Sequence, residues 1–380
     1  MKTAKRFCIL LLIAGTLFLS GCWNYREMEN LSMVSGFAID KGTQGHKYHV
    51  TFEFLDLSGQ QIGSKLLETE GDTVFDAVRN ATGKSQKKLL FSECKVVVIS
   101  KDLASEGIAP LLDFISRDTE PRLTITPIIS EEKTAAEILQ QKPVTNQLIC
   151  LEIDQMLMQN SSSLSEAPRV KLYQVNNMLA GEGTSLILPA IKITKEQTAT
   201  TLELAGTALF KKDRLTGFLD RDQSKSLLFI KDQIHGGLLL TNPDSGNGKI
   251  TLEILGNQTK ITPVIKNNLL SINIDIKMVC ALGEDQTSKD YFTVDGIKKV
   301  EKSAGKALET GVMDLIKTAQ TQHGGDIFGF GNLAYQNDPQ WWEEVKPKWD
   351  QTFRTLNVSV AADVKINNTA VVKSKVEVGD

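Results

Sequence analysis

The chain has 380 residues, 41% of them hydrophobic, and 43 Lys and Arg against 46 Asp and Glu, a formal charge of −3. This balance is that of an ordinary globular chain of two or three domains, and it offers no basic field for nucleic acid. Five cysteines, sparse and irregularly spaced, do not make a disulfide framework.

The first residues are the most informative. Lys2, Lys5 and Arg6 precede an uncharged run from Phe7 to Leu19, and small Ser20 and Gly21 lead into Cys22. A cationic start, a short apolar core and small residues make a secretory signal peptide over 1–21. The run is shorter than the roughly 20 residues a bilayer-spanning helix needs. Leu19-Ser20-Gly21-Cys22 resembles the bacterial lipobox, so cleavage is expected between Gly21 and Cys22. Cys22 then becomes the lipid attachment residue, an S-diacylglycerol and N-acyl cysteine. Each buried CH₂ contributes about 0.8 kcal/mol, and two or three acyl chains give stable anchoring without a transmembrane helix. The processed chain keeps 40 basic and 46 acidic residues, a charge of −6. Cys94, Cys150 and Cys280 remain. Cys94 and Cys280 lie beside apolar runs and read as buried thiols, with one disulfide among the three left open.

Leu31 to Ile39 is apolar, and Tyr48, Val50, Phe52 and Phe54 alternate with polar residues as in a half-buried strand. Val74, Phe75, Val78 and Ala81 form a helical stripe capped by Asp72 or Thr73. Val96 to Ile99 reads as a central strand. Helix over 108–115, strand over 123–129 and helix over 131–139 follow. Polar Asn160 to Pro168 marks a linker, and Leu172 to Leu179 is again apolar. Leu202 to Phe210 and Leu227 to Ile230 are strand-like around a turn at Lys211-Lys212-Asp213-Arg214. After a loop at 242–248, two more strands are expected at 250–255 and 260–265.

The last third has the clearest periods. Leu270, Ile272, Ile274, Ile276 and Met278 alternate. Ile297, Val300, Ala304, Ala307, Leu308, Gly311, Leu315 and Ile316 share a helical face. Glycines from 324 to 331 reverse the chain. Trp341 to Phe353 reads as a helix divided by Pro347, and Leu356 to Ile366 alternates as a strand. The whole is an α+β chain of two to three domains, with mixed and antiparallel sheets and helices packed on a sheet face. Its divisions are 22–195, a small β-rich unit at 196–265, and 266–380. The late strands look antiparallel and meander-like.

Chemistry is sparse. His46-x-x-His49 lacks further ligands at zinc spacing, and His323-Gly324-Gly325-Asp326 lacks a nucleophile elbow. The glycines at 324–331 follow a helix, unlike a phosphate loop, which follows a strand. No catalytic, metal or cofactor-binding residue emerges. Trp342, Val345 and Trp349 share a core face, whereas Trp341 points elsewhere and is the candidate surface anchor.

Six blocks in order carry a resemblance. They are Cys22-Trp23-Asn24 with Arg26-Glu27, Gly36 and Ile39-Asp40-Lys41-Gly42; Glu70-Gly71-Asp72-Thr73 with Leu90-Phe91; Asp113-Phe114 and Arg117-Asp118-x-Glu120-x-Arg122; Gly206-Thr207-Ala208-Leu209-Phe210-Lys211; Leu215-Thr216-Gly217; and Asp326 to Gly331 with Trp342 and Trp349-Asp350. Together they resemble the C subunits of nutrient germinant receptors, lipoproteins of spore-forming Bacilli and Clostridia. Asn24 departs from the aspartate often found there. The resemblance implies a non-enzymatic α+β subunit held by its lipid on the outer side of the inner spore membrane. Its implied partners are a permease-like integral membrane subunit and a large membrane-associated subunit. The alternative is a solute-binding lipoprotein of a transporter, a class usually built as two α/β lobes.

Overall fold

The computed structural model describes residues 31–368, apart from 44, 57–62, 146–147, 196–198 and 245–247. Cys22 therefore lies outside the described residues.

The first sheet contains β1 (Leu31–Lys41), β2 (Tyr48–Asp56), β3 (Gly63–Gly71), β4 (Lys88–Leu90), β5 (Val96–Ser100), β6 (Thr126–Ser130), β7 (Ile187–Lys195), β8 (Thr200–Lys211) and β9 (Arg214–Leu219). Its order is β3-β2-β1-β5-β6-β7-β8-β9, with β4 beside the start of β1. The centre, β1-β5-β6-β7, is parallel, and antiparallel strands flank it. Every residue of β5 is buried, because helices cover both faces. Val97 and Ile99 pack with α1 (Val74–Lys84), α2 (Lys101–Glu106) and α3 (Ala109–Arg117). Val96 and Val98 pack with α4 (Ala136–Leu139) and α5 (Ile149–Ser163). Coverage of one face only, the sequence expectation, fails for this sheet. A continuous apolar run such as Val96 to Ile99 is what two-sided burial requires. Helix α6 (Leu172–Ala180) joins the first of these faces.

The second sheet runs β10 (Leu238–Thr241), β11 (Ile250–Lys266), β12 (Leu269–Asp285) and β13 (Asn357–Asn368) in that order. Helices α7 (Arg221–Ile230), α8 (Val294–Thr318), α9 (Phe330–Asn337), α10 (Pro339–Val345) and α11 (Trp349–Arg354) complete this half. The apolar stripe of α8, with Val300, Ala304, Leu308, Val312 and Leu315, packs with Ile272, Ile274, Ile276 and Met278 of β12. The intervening Asn273, Asp275 and Lys277 are exposed. Thr293 caps α8 by accepting the Gly296 N–H at 3.0 Å. Gly305 lets the helix backbone approach β13, since a Cβ there would stand 2.9 Å from the Ala362 carbonyl oxygen.

Several expectations change. Leu227 to Ile230 is the end of α7, because Asp220 and Gln223 form a reciprocal cap that commits the segment to helix. Asn160 belongs to α5; its side-chain oxygen accepts the Glu166 and Ala167 amides, both at 3.0 Å, and makes a tight helix exit where a linker was expected. Only 136–139 of the expected 131–139 helix forms, because the Glu131 amide pairs with Ile191 of β7. Residues 250–265 make one strand. The 196–265 stretch is divided: β8 and β9 complete the first sheet, while β10 and β11 open the second. Strand β13 returns parallel to β12 after the helices, so the late strands are not a simple meander.

Pro347 divides the tryptophan helix as expected, with a short 3₁₀ turn at Lys346–Lys348 between α10 and α11. Trp342 and Trp349 are core. Trp341 is core as well, 6% exposed, with its indole N–H donating to the Asn268 carbonyl at 3.3 Å. The tip of the β11–β12 hairpin, sequence-distant, covers the face that the helical wheel leaves open. Trp341→Ala and Trp342→Ala are each expected to cost roughly 3–5 kcal/mol. Denaturant unfolding of the full chain checks this; an unchanged midpoint for Trp341→Ala refutes its core role.

Candidate functional site

The shared blocks meet at two places. The first is the seam between the sheets. Buried Asp326 accepts three backbone amides, from Phe328 at 3.1 Å, Gly329 at 2.9 Å and Gly331 at 2.7 Å. The carboxylate thereby fixes the loop that bears Phe328 and Phe330, which stack at 5.0 Å and pack on Phe353. The Asp326 carbonyl then takes the Ser185 amide at 2.7 Å, and the Asn332 amide donates to the Gly183 carbonyl at 3.0 Å. Gly331 is required by this closeness: a Cβ there would sit 2.7 Å from both Gly183 and the Trp349 ring. Glu182 accepts the Trp342 indole N–H at 2.9 Å and pairs with Lys346. Lys211 of β8 pairs with Asp350 of α11 at 2.7 Å, and His323 lies against Gly217 of β9.

The second place surrounds β1 and β2 of the first sheet. Asp40, buried on β1, accepts the amides of Ala135 at 2.6 Å and Ala136 at 2.9 Å, ahead of α4. Burial raises its pKa, and the two amides oppose the shift. Glu53, fully buried on β2, accepts the Ile149 and Cys150 amides at 2.8 and 2.9 Å and the Ser35 hydroxyl at 2.7 Å. It supplies the N-terminal cap that Leu148 cannot. Gly36 leaves room for this, since a Cβ would meet the Cys150 sulfur at 2.5 Å. Sequence alternation hides Glu53, because a Glu between Phe52 and Phe54 reads as the solvent side of a half-buried strand. Glu120 pairs with Lys88 and accepts the Phe91 amide at 3.3 Å, and Arg122 pairs with Glu93 at 2.9 Å. These residues hold the Arg117 to Arg122 stretch against β4. Phe114 stacks on Phe75 at 5.2 Å and meets Phe91 edge-on.

His46 contacts Asp72 at 3.2 Å, and His49 lies 3.6 and 3.7 Å from Glu68 and Glu70. Among the described residues no three His, Cys, Asp or Glu side chains group as a metal site. Cys94, Cys150 and Cys280 are buried and free. Burial pushes all three thiols up, Cys280 to about 11, so the reactive thiolate is disfavoured. His323 and Asp326, three residues apart, do not form an acid–base pair, because the Asp326 carboxylate is occupied by amides.

The geometry is that of a two-domain α+β protein whose most distinctive motifs hold its parts together. Residues 24–193 match the spore germination protein N-terminal domain, and residues 205–370 match the family described as spore germination B3/GerAC like, C-terminal. The chain belongs to this family of germinant receptor C subunits, which gives it a role in spore germination. It is 27% identical to spore germination protein B3 of Bacillus subtilis over 98% of this chain and 100% of that protein. It is 24% identical to spore germination protein KC of the same organism, over 96% and 97%. The crystal structure of the GerBC protein superposes with a TM-score of 0.58 at 23% identity, covering 88% of this chain and 97% of that one. That likeness extends the α+β fold to a solved structure.

Burial raises the Asp326 pKa from 3.8 to about 6, against the three amides and Lys231. A raised carboxyl favours folding while protonated, so its contribution is fully present below about pH 4. It is lost as pH rises to about 6, by up to about 3 kcal/mol. Wild type compared with Asp326→Asn in urea unfolding from pH 4 to pH 7 should show this loss in wild type only. Parallel pH profiles would refute it.

Proposed function

We propose that this chain is the lipid-anchored, non-enzymatic C subunit of a nutrient germinant receptor, on the outer side of the inner spore membrane. The observation that carries the reading is the succession of both family domains behind a lipobox cysteine. Among the described residues no helix is long and apolar enough to cross a membrane, which is consistent with attachment through Cys22. Its partners are a permease-like integral membrane subunit and a large membrane-associated subunit. The Asp326 carboxylate, whose spacing from His323 raises an acid–base reading, is engaged in holding backbone amides, which supports a structural role within a complex. Family membership favours this reading over a transporter's solute-binding lipoprotein.

Cys22→Ala is expected to abolish incorporation of a clickable fatty acid, seen by gel fluorescence; equal labelling of the variant refutes the anchor. In a strain where this receptor acts alone, deletion of the chain should abolish loss of refractility on nutrient addition. Germination by a receptor-independent trigger should remain normal. An unchanged nutrient response rejects the receptor reading.

A further inference from the structure

We propose that the end of the first sheet carrying Leu123 and Tyr173 rests on an anionic lipid surface, the same surface that holds Cys22. The inference builds on the lipid anchor and adds the face that meets the membrane.

The tether is short. Eight residues, 23–30, separate Cys22 from Leu31 at the start of β1. At about 3.3–3.6 Å per fully extended residue they span about 30 Å at most. The lipid surface therefore lies near the end of the sheet from which β1 sets out.

Hydrogen bonds identify what else occupies that end. Leu31 pairs with Lys88 of β4, and Glu120 binds both Lys88 and the Phe91 amide. The Lys95 amide donates to the Ser35 carbonyl, and the Thr126 amide to the Lys95 carbonyl. The next step outward is a pair of bonds from the Leu172 amide to Ile125 and from the Tyr173 amide to Leu123, at 2.9 and 3.1 Å. Three such steps of about 4.8 Å place Tyr173 about 15 Å to the side of β1, within the tether's reach.

At this end two large side chains stand out from the packed surface. Leu123 is 44% exposed and Tyr173 46%, while Pro121 and Ile125 of the same loop are buried. A tyrosine and an aliphatic side chain joined by a backbone bond suit the headgroup boundary, where an amphipathic ring satisfies both phases. The surrounding charge has the sign opposite to the whole processed chain. Segments 84–95 and 113–122 hold six cations (Lys84, Lys87, Lys88, Lys95, Arg117, Arg122) against four anions (Glu93, Asp113, Asp118, Glu120). Glu93 is shared by Lys95 and Arg122, at 3.1 and 2.9 Å. Such a positive excess beside an apolar pair fits an anionic bilayer.

The test uses the full-length acylated protein in vesicles of phosphatidylcholine and phosphatidylglycerol doped with a headgroup-nitroxide lipid. Leu123→Cys, Tyr173→Cys and Val144→Cys each receive one environment-sensitive dye, because Cys94, Cys150 and Cys280 are buried. Val144, 69% exposed, follows α4 beyond the other end of β6 and serves as the reference. Melts matched to wild type verify the fold of each variant. Quenching at positions 123 and 173 is expected to exceed that at 144 at least about threefold, since interfacial anchors sit at headgroup depth. Adding Lys87→Glu and Lys88→Glu should weaken the contact, about fivefold for each lysine removed from an anionic surface. Equal quenching at all three positions, with lipid on Cys22 verified by mass spectrometry, overturns the proposal and leaves the anchor standing. Absence of lipid on Cys22 overturns both. A face unquenched by lipid yet shielded in inner spore membranes belongs to a protein partner, which also overturns the lipid assignment.

Discussion

The Asp326 carboxylate is the interaction on which the arrangement of the two sheets depends. One buried side chain satisfies three amides of its own loop, so the loop can present its phenylalanines to the core. With the loop fixed, its outward carbonyl receives Ser185 and its glycine edge lies against Gly183. Among the described residues no β-ladder crosses from the first sheet to the second. The seam combines side-chain pairs with close backbone approaches, and the approach of Gly183 to Gly331 leaves no room for a Cβ at either residue.

Asp40 and Glu53 follow the same logic at the other end of the molecule. Each is a buried carboxylate on a strand, and each supplies hydrogen-bond acceptors to the beginning of a helix. Unpaired amides in these places carry a desolvation cost of about 1–3 kcal/mol each. Asp40 and Asp326, the buried carboxylates of the shared blocks, are thus accounted for by backbone geometry. Arg117 to Arg122 differs in being exposed in part, and its charges tie loop to strand at the surface. That contrast separates carboxylates that close the fold from a motif that reaches solvent near the expected anchor.

Much of the fold was legible in the sequence because periodicity reports burial. The stripe on α8, the alternation along β12, the all-apolar β5 and the break at Pro347 each follow from local rules. Short apolar runs were not legible in this way. Leu227 to Ile230 has no period long enough to distinguish helix from strand, and the cap at Asp220, seven residues before Leu227, decided it. The polar stretch 160–168 resembles a linker by composition, although Asn160 uses its side chain to fold it back.

By itself the sequence determined the α+β class, the blocks of the resemblance and the core face of α8, because these are encoded by residues close in the chain. Only the tertiary structure decided that residues 200–219 complete the first sheet, that β13 runs parallel to β12, and that Trp341 is buried. Each of these depends on a partner far away in sequence: β6 for β7, on which β8 is built as a hairpin, β12 for β13, and Asn268 for the Trp341 indole. A residue's own neighbours set which faces are apolar. Which surface arrives to cover them is a property of the whole folded chain.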